Sequence, residues 1–181
     1  RQLRELLSKF QHLRGEHGQD VVVYSALAIG TDRLFVKTAL ALGIPVEVVI
    51  PCSHYAGIYE SAEIREEYHD LLSRCQQVHE LPFQECLEDA YLAAGHWIVD
   101  HSDLMLLVWN GYPAGGRGGT ADIASYARLK RCPFIHINPR LRDVKRYGSF
   151  GDGLKMPRSS AKREYIVKQQ TVYQGQVLTV R

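Results

Sequence analysis

The sequence predicts an α/β fold, a doubly wound parallel sheet with helices on both faces. Three observations predict it. Short β-branched or aliphatic runs alternate with segments of helical period. The connections between them are short, as layered strand–helix units require. Leu104-Met105-Leu106-Leu107-Val108-Trp109 is apolar throughout, which suits a central parallel strand covered on both faces.

Taken in order, Leu3, Leu6, Leu7, Phe10 and Leu13 recur at helical spacing and predict an opening amphipathic helix, ended by Gly15 and Gly18. Val21–Tyr24 is the first buried strand, and Ser25–Gly30 the turn after it. A helix follows from Thr31, its expected N-cap, to Leu42, with Gly43 as the stop. Val46–Ile50 is the next strand, broken by Pro51. Ser61–Ser73 reads as a charged helix with Ile64, Tyr68, Leu71 and Leu72 on one face. Gln77–His79 reads as a short strand and Leu87–Val99 as a helix. The apolar strand Leu104–Trp109, a helix over Thr120–Lys130 and a last strand over Phe134–Ile137 complete the core. The opening helix has no strand before it, so the pattern expects a first strand ahead of Arg1. Residues 1–138 are therefore expected to form the domain. Residues 139–160, basic and rich in glycine and proline, read as a linker, and residues 161–181 as a β-rich tail.

Composition bounds the function. A chain of 181 residues is one ordinary domain, long enough to bury about 70% of its unfolded surface. The net charge of +2 gives no basic face of the kind nucleic acid requires. No apolar window is long enough to span a membrane, and no signal peptide opens the chain. Cys52, Cys75, Cys86 and Cys132 show no metal or redox spacing and are expected to be reduced, buried apolar residues. A cytoplasmic protein is the corresponding expectation.

In an open parallel sheet, ligands bind at the carboxyl ends of the strands. Three loops there carry the chemistry. The first, after Trp109, runs Gly115-Gly116-Arg117-Gly118-Gly119-Thr120-Ala121-Asp122. Glycines allow a ligand close to the backbone, and the following helix offers free N–H groups and its positive dipole end to an anion. Thr120 adds a hydroxyl and Arg117 a charge. The loop is neither a Walker loop nor the GxGxxG fingerprint. The second loop, Ser25 to Asp32, leaves two readings open. Ser25, Gly30 and Asp32 either contact a ligand or cap and complement the helix. The third carries Ser53, His54, Tyr55, Tyr59, Glu60 and Glu63. Its aromatics could stack on a base and Glu60 could accept from sugar hydroxyls, or the segment is a solvated helix start. His96 and His136 are read as structural.

Ser25-Ala26-Leu27-Ala28-Ile29-Gly30-Thr31-Asp32-Arg33-Leu34, Val99-Asp100-His101-Ser102-Asp103, Val108-Trp109-Asn110-Gly111 and Gly118-Gly119-Thr120-Ala121-Asp122 together resemble the SLOG superfamily, the group related to LOG and DprA-type domains. The resemblance spans Asp20 to Asn138. It implies a Rossmann-like fold and a nucleotide, ADP-ribose derivative or cyclic nucleotide as ligand. LOG-type enzymes of this group cleave nucleotide N-glycosidic bonds with a glutamate three residues after the threonine; Ile123 stands there, with Asp122 one place earlier. One residue is about 100° around a helix, so binding is the better reading than hydrolysis. Glu164–Arg181 resembles the opening of an ADP-ribose pyrophosphatase-type Nudix hydrolase, but the metal-binding Nudix box is absent from these residues. Magnesium is implied only if such a domain follows.

The function expected is a sensor or regulatory module holding a nucleotide or ADP-ribose-like ligand. The alternative is a hydrolase, of N-glycosidic bonds or, with a Nudix domain, of ADP-ribose. The ligand set expected is Ser25, Gly30, Asp32, Glu60, Trp109, Gly116, Arg117, Gly118, Gly119, Thr120 and Asp122. No membrane or nucleic-acid partner is expected; self-association into a homo-oligomer is.

Overall fold

The computed structural model describes residues 4–9, 21–150 and 176–180. Residues 4–9 form a helical stretch, α1, that buries Leu6 and Leu7 in the core. Leu3, Phe10 and Leu13 lie outside the described residues. The remaining elements are β1 (Val23–Ser25), α2 (Thr31–Ala41), β2 (Val46–Ile50), a 3₁₀ turn (Tyr55–Ile58), α3 (Ala62–Ser73), β3 (Gln77–Glu80), α4 (Glu88–Asp100), β4 (Leu104–Val108), α5 (Thr120–Leu129), β5 (Phe134–Asn138), β6 (Asp143–Tyr147) and β7 (Gln176–Val180). The fold is mixed α/β.

The sheet order is β3-β2-β1-β7-β4-β5-β6. β3, β2 and β1 pair in parallel, and so do β4 and β5. The sheet is not wholly parallel as the sequence predicts: β7 lies between β1 and β4 and runs antiparallel to both. Since β1 and β4 each oppose β7, they point the same way. The carboxyl ends of all five parallel strands therefore share one edge. Ser25 pairs with Leu178 and Val108 with Gln176 at that edge. At about 4.8 Å per strand, the ends of β1 and β4 stand roughly 10 Å apart.

Two further segments depart from expectation. Asp143–Tyr147, inside the stretch read as linker, is an antiparallel edge strand on β5. Its exposed Lys145 and Arg146 are the charged side chains that discourage further pairing at an edge. Gln176–Val180, from the tail, is a strand within the sheet and not beside it. The rest of the Nudix-like segment lies outside the described residues.

The core divides about the sheet. Val23, Val46, Val48, Leu104, Leu106 and Ile135 face one cluster with α1, α2 and the tyrosines of the 50s loop. Tyr24, Val49, Met105, Leu107 and Phe134 face the other, with α4 and α5. The alternation is the period-two direction of strand side chains. Helices α4 and α5 meet closely at Gly95, where a Cβ would lie 2.3 Å from Cδ1 of the fully buried Ile123.

Candidate functional site

The loops after β1, β2 and β4 gather at the shared carboxyl edge, and each is built differently. The turn after β1 is tight. Leu27 holds a positive φ of 55° although it is fully buried, and Gly30 has φ 100° and ψ −117°, a backbone only glycine adopts readily. Such conformations persist only where the surroundings impose them. Ser25, fully buried, accepts the amide of Leu27 at 3.1 Å. Asp32 Oδ2 accepts the amide of Ala28 at 3.4 Å. The N-cap of α2 is Gly30, with no side-chain bond, so Thr31 does not cap as expected. Asp32 takes over by reaching back across the turn from inside the first helical turn. Burial pushes its carboxyl up to about 7, despite the lowering effect of the Ala28 amide, the Ser25 hydroxyl and the Ala26 amide. Burial therefore favours the protonated form of Asp32 far more than in a free carboxyl.

Arg33, not singled out in the sequence, fastens this turn. It is 3% exposed. Its Nε donates to the Leu27 carbonyl at 3.4 Å, and Nη1 donates to the Ile64 carbonyl at 2.9 Å and to Glu67 at 2.6 Å. The guanidinium lies over the Tyr59 ring, 4.7 Å from its centroid. Lys37 also pairs with Glu67, and Lys37 and Arg33 together hold that carboxyl below its ordinary range. A basic side chain directly after an acidic one on an otherwise apolar helix face was the available signal.

In the loop after β2, Tyr55 and Tyr59 do not offer open faces to a base. They are 3% and 5% exposed. Tyr55 stands edge-on to Tyr59, Tyr68 and Tyr91, with centroids 5.7, 5.9 and 6.3 Å away. Burial, and then the neighbouring Tyr59, Asp32 and Tyr91, push the Tyr55 hydroxyl well above its ordinary value. Glu60 is exposed, and only its backbone carbonyl is engaged, by Arg65. Ser61 caps α3 by accepting the Ile64 amide. Cys52 and Cys86 are joined in a disulfide, Cα–Cα 5.3 Å, which corrects the expectation of four unpaired thiols. A pairing across 34 residues leaves no local spacing to read. Beside it is a hollow of about 560 Å³ lined by His54, Gly57, Ile58, Gln84, Glu85 and Cys86.

The glycine turn after β4 packs against α4. Gly118 has φ 85°, and a Cβ there would lie 2.6 Å from the Leu92 amide nitrogen and 3.0 Å from the Tyr91 carbonyl carbon. A Cβ on Gly119 would lie 2.9 Å from Ala114 Cβ, and one on Gly116 2.8 Å from Glu88 Oε1. At Gly118 the close neighbour is the backbone of α4; at Gly119 it is the loop itself, and at Gly116 the end of a flexible side chain. Arg117, expected to face an anion, pairs with Asp89 of α4 at 2.7 Å. Gly118 donates its amide to Asp122 Oδ2 at 3.0 Å, and the Gly119 carbonyl accepts from the amides of Asp122 and Ile123. The amides of Thr120 and Ala121 meet no acceptor among the described residues. Thr120 is 2% exposed, and its Oγ1 likewise has no hydrogen-bond partner there.

Trp109 ends β4. Its Nε1 donates to the Tyr112 carbonyl at 2.6 Å, and its own carbonyl pairs with His136 Nε2 at 2.8 Å. His136 is 7% exposed, and His96 stacks on Tyr126 with centroids 3.6 Å apart.

The structure thus brings Ser25, Gly30 and Asp32 to the same edge as Trp109, Gly116, Arg117, Gly118, Gly119, Thr120 and Asp122. Tyr91 on α4 joins the two sides, its ring against Tyr55 and its backbone behind Gly118. Glu60 is left solvated. Among the described residues no three His, Cys, Asp or Glu side chains are placed to hold a metal, and no helix is long and apolar enough to cross a membrane. Neither family models nor curated proteins match this chain.

Proposed function

We propose that this domain binds a nucleotide or ADP-ribose-like ligand at the carboxyl edge, with a phosphate at the start of α5. One observation carries the reading. At that helix start the amides of Thr120 and Ala121 have no acceptor among the described residues, beside a buried Thr120 hydroxyl that has no partner there either. A buried hydroxyl without a partner costs free energy that an anionic acceptor returns, the first amides of a helix have no intrahelical partner, and the helix dipole favours a negative group there. The turn at Ser25–Asp32, about 10 Å away across one intervening strand, forms the facing wall. Asp32, protonated in part at neutral pH, can donate to or accept from a ribose hydroxyl. In this reading the fold is Rossmann-like and of the SLOG kind, and the module senses its ligand rather than cleaving it. Ile123 supports binding over glycosidic cleavage. It is fully buried against Gly95, so the position where LOG-type enzymes carry a glutamate is given over to helix packing.

The test is calorimetry of the 181-residue chain with ADP-ribose, AMP and inorganic phosphate, with base and phosphate release followed in parallel. Micromolar binding of ADP-ribose or AMP without turnover is the expected result. No binding of any of the three would reject the reading, and turnover abolished in Asp122→Asn would make the protein a hydrolase. Light scattering on the same samples tests the self-association.

A further inference from the structure

We propose that Cys52–Cys86 is a thiol–disulfide exchange site that sets the rigidity of the loop after β2 and of the entry to α4, the two segments packed behind the walls of the ligand cleft. The regulatory role rests on the binding reading above; the exchange chemistry does not. Cys52 stands two residues after β2 and three before Tyr55; Cys86 stands two residues before α4 and five before Tyr91. One covalent bond therefore ties the segment carrying Tyr55 to the entry of the helix that backs Gly118. Besides the disulfide, the Ser53 amide and hydroxyl donate to the Phe83 carbonyl at 3.0 and 3.5 Å, and Tyr55 meets Tyr91 edge-on. Breaking the disulfide leaves the fold its sheet and cores, but frees the two segments that Tyr55 and Tyr91 join.

Access is one-sided. Cys52 is fully buried, whereas Cys86 is half-buried and lines the hollow of about 560 Å³. That volume admits a small thiol such as a cysteine-containing tripeptide. The reductant's thiolate attacks Cys86 Sγ, the Cys52–Cys86 bond breaks, and Cys52 leaves as a thiolate that takes up a proton. A second reductant thiolate then attacks the reductant sulfur of the mixed disulfide. Cys86 is released as a thiol and the reductant departs as its own disulfide. Two reductant thiols are oxidised and one protein disulfide is reduced. Cys75 and Cys132 stand apart from this chemistry, because burial pushes both thiols up to about 11, and a thiol held protonated is a poor nucleophile.

The experiment uses the chain equilibrated with oxidised glutathione, then reduced with dithiothreitol. Alkylation in denaturant is expected to label two cysteines before reduction and four after. Four labels before reduction would overturn the proposal. A brief pulse of reduced glutathione followed by acid quench and peptide mass should place the adduct on Cys86; an adduct on Cys52 contradicts the one-sided access. Hydrogen exchange over 52–58 and 84–91 should be about tenfold faster in the reduced chain and in Cys86→Ser, and unchanged exchange in both sinks the gating role. ADP-ribose affinity should weaken about tenfold on reduction. If ADP-ribose binds in neither state, the binding reading fails, while labels, adduct and exchange still decide the disulfide's role.

Discussion

The carboxylate of Asp122 accepts the backbone amide of Gly118 at 3.0 Å, so the glycine turn that offers donors to an anion already holds one of its own. Asp122 sits at the third position of α5 and reaches back over the N-cap Gly119, in the manner of a capping box. The contact stabilises the helix start and also places negative charge beside the donors left at Thr120 and Ala121.

Asp122→Asn keeps an acceptor for Gly118 and removes the charge. Phosphate-bearing ligands should then bind two- to fivefold more tightly, about 0.5–1 kcal/mol, the range of a charge near a helix terminus. Calorimetry at low and high salt checks it. Weaker binding in the variant would mean that Asp122 contacts the ligand.

Glycine in this loop is needed for packing at one end and not at the other. Gly118→Ala places a Cβ 2.6 Å from the backbone of Leu92 at a φ of 85°. Backbone cannot yield as a side-chain tip does, so a loss of about 2–4 kcal/mol is expected. Gly115→Ala meets nothing within 4 Å and has no positive φ, so it should be near neutral. Urea denaturation of the two variants separates them, and equal losses would refute the packing account.

Asp32 makes stability depend on pH. Its carboxyl is raised from 3.8 to about 7 by burial, so the folded state binds the extra proton. Its contribution is full below the unfolded value and is lost as pH rises through about 7. Integrated over that interval the loss is roughly 4 kcal/mol. Asp32→Asn retains an acceptor for Ala28 but has no proton to lose. Unfolding free energy of the native chain should fall between about pH 4 and 7 and level off above that, and that of Asp32→Asn should not fall. Parallel profiles would show that another group governs this range.

Element existence was legible because each helix and parallel strand carries its own local pattern. Four helix starts fall within one residue of where Thr31, Ser61, Leu87 and Thr120 announce them. The sheet order was not legible. β7 pairs with β1 and β4 from far along the chain, and no local feature of Gln176–Val180 names its partners. β6 was hidden because an exposed edge strand with polar side chains looks like a linker. In the site, the glycine turn and the Ser25–Asp32 turn were legible from residue type. What each glycine faces was not, since Leu92 and Glu88 come from another helix. The sequence leaves Tyr55 and Tyr59 as either stacking surfaces or part of a solvated helix start; in the structure Tyr55, Tyr59, Tyr68, Tyr91 and Arg33 pack on one another. Only the fold shows which aromatic faces are spent.

Thr120 gives the sharpest separation of stability from binding. Its hydroxyl is buried with no partner among the described residues, a cost of about 1–3 kcal/mol to the unliganded chain. Thr120→Val keeps the β-branched shape and removes the hydroxyl. Without ligand, the variant should be as stable as the native chain or more stable by up to about 1 kcal/mol, because an unsatisfied polar atom is exchanged for a methyl. With ligand, it lacks one of the donors at the start of α5, and ADP-ribose affinity should drop about 10- to 100-fold, the range of a hydrogen bond to a charged group. Thermal unfolding and calorimetry on the same preparation measure both effects. A destabilised variant would show that the hydroxyl has an internal partner. A stable variant with native affinity would remove Thr120 from the site and, with it, the observation on which the phosphate position rests.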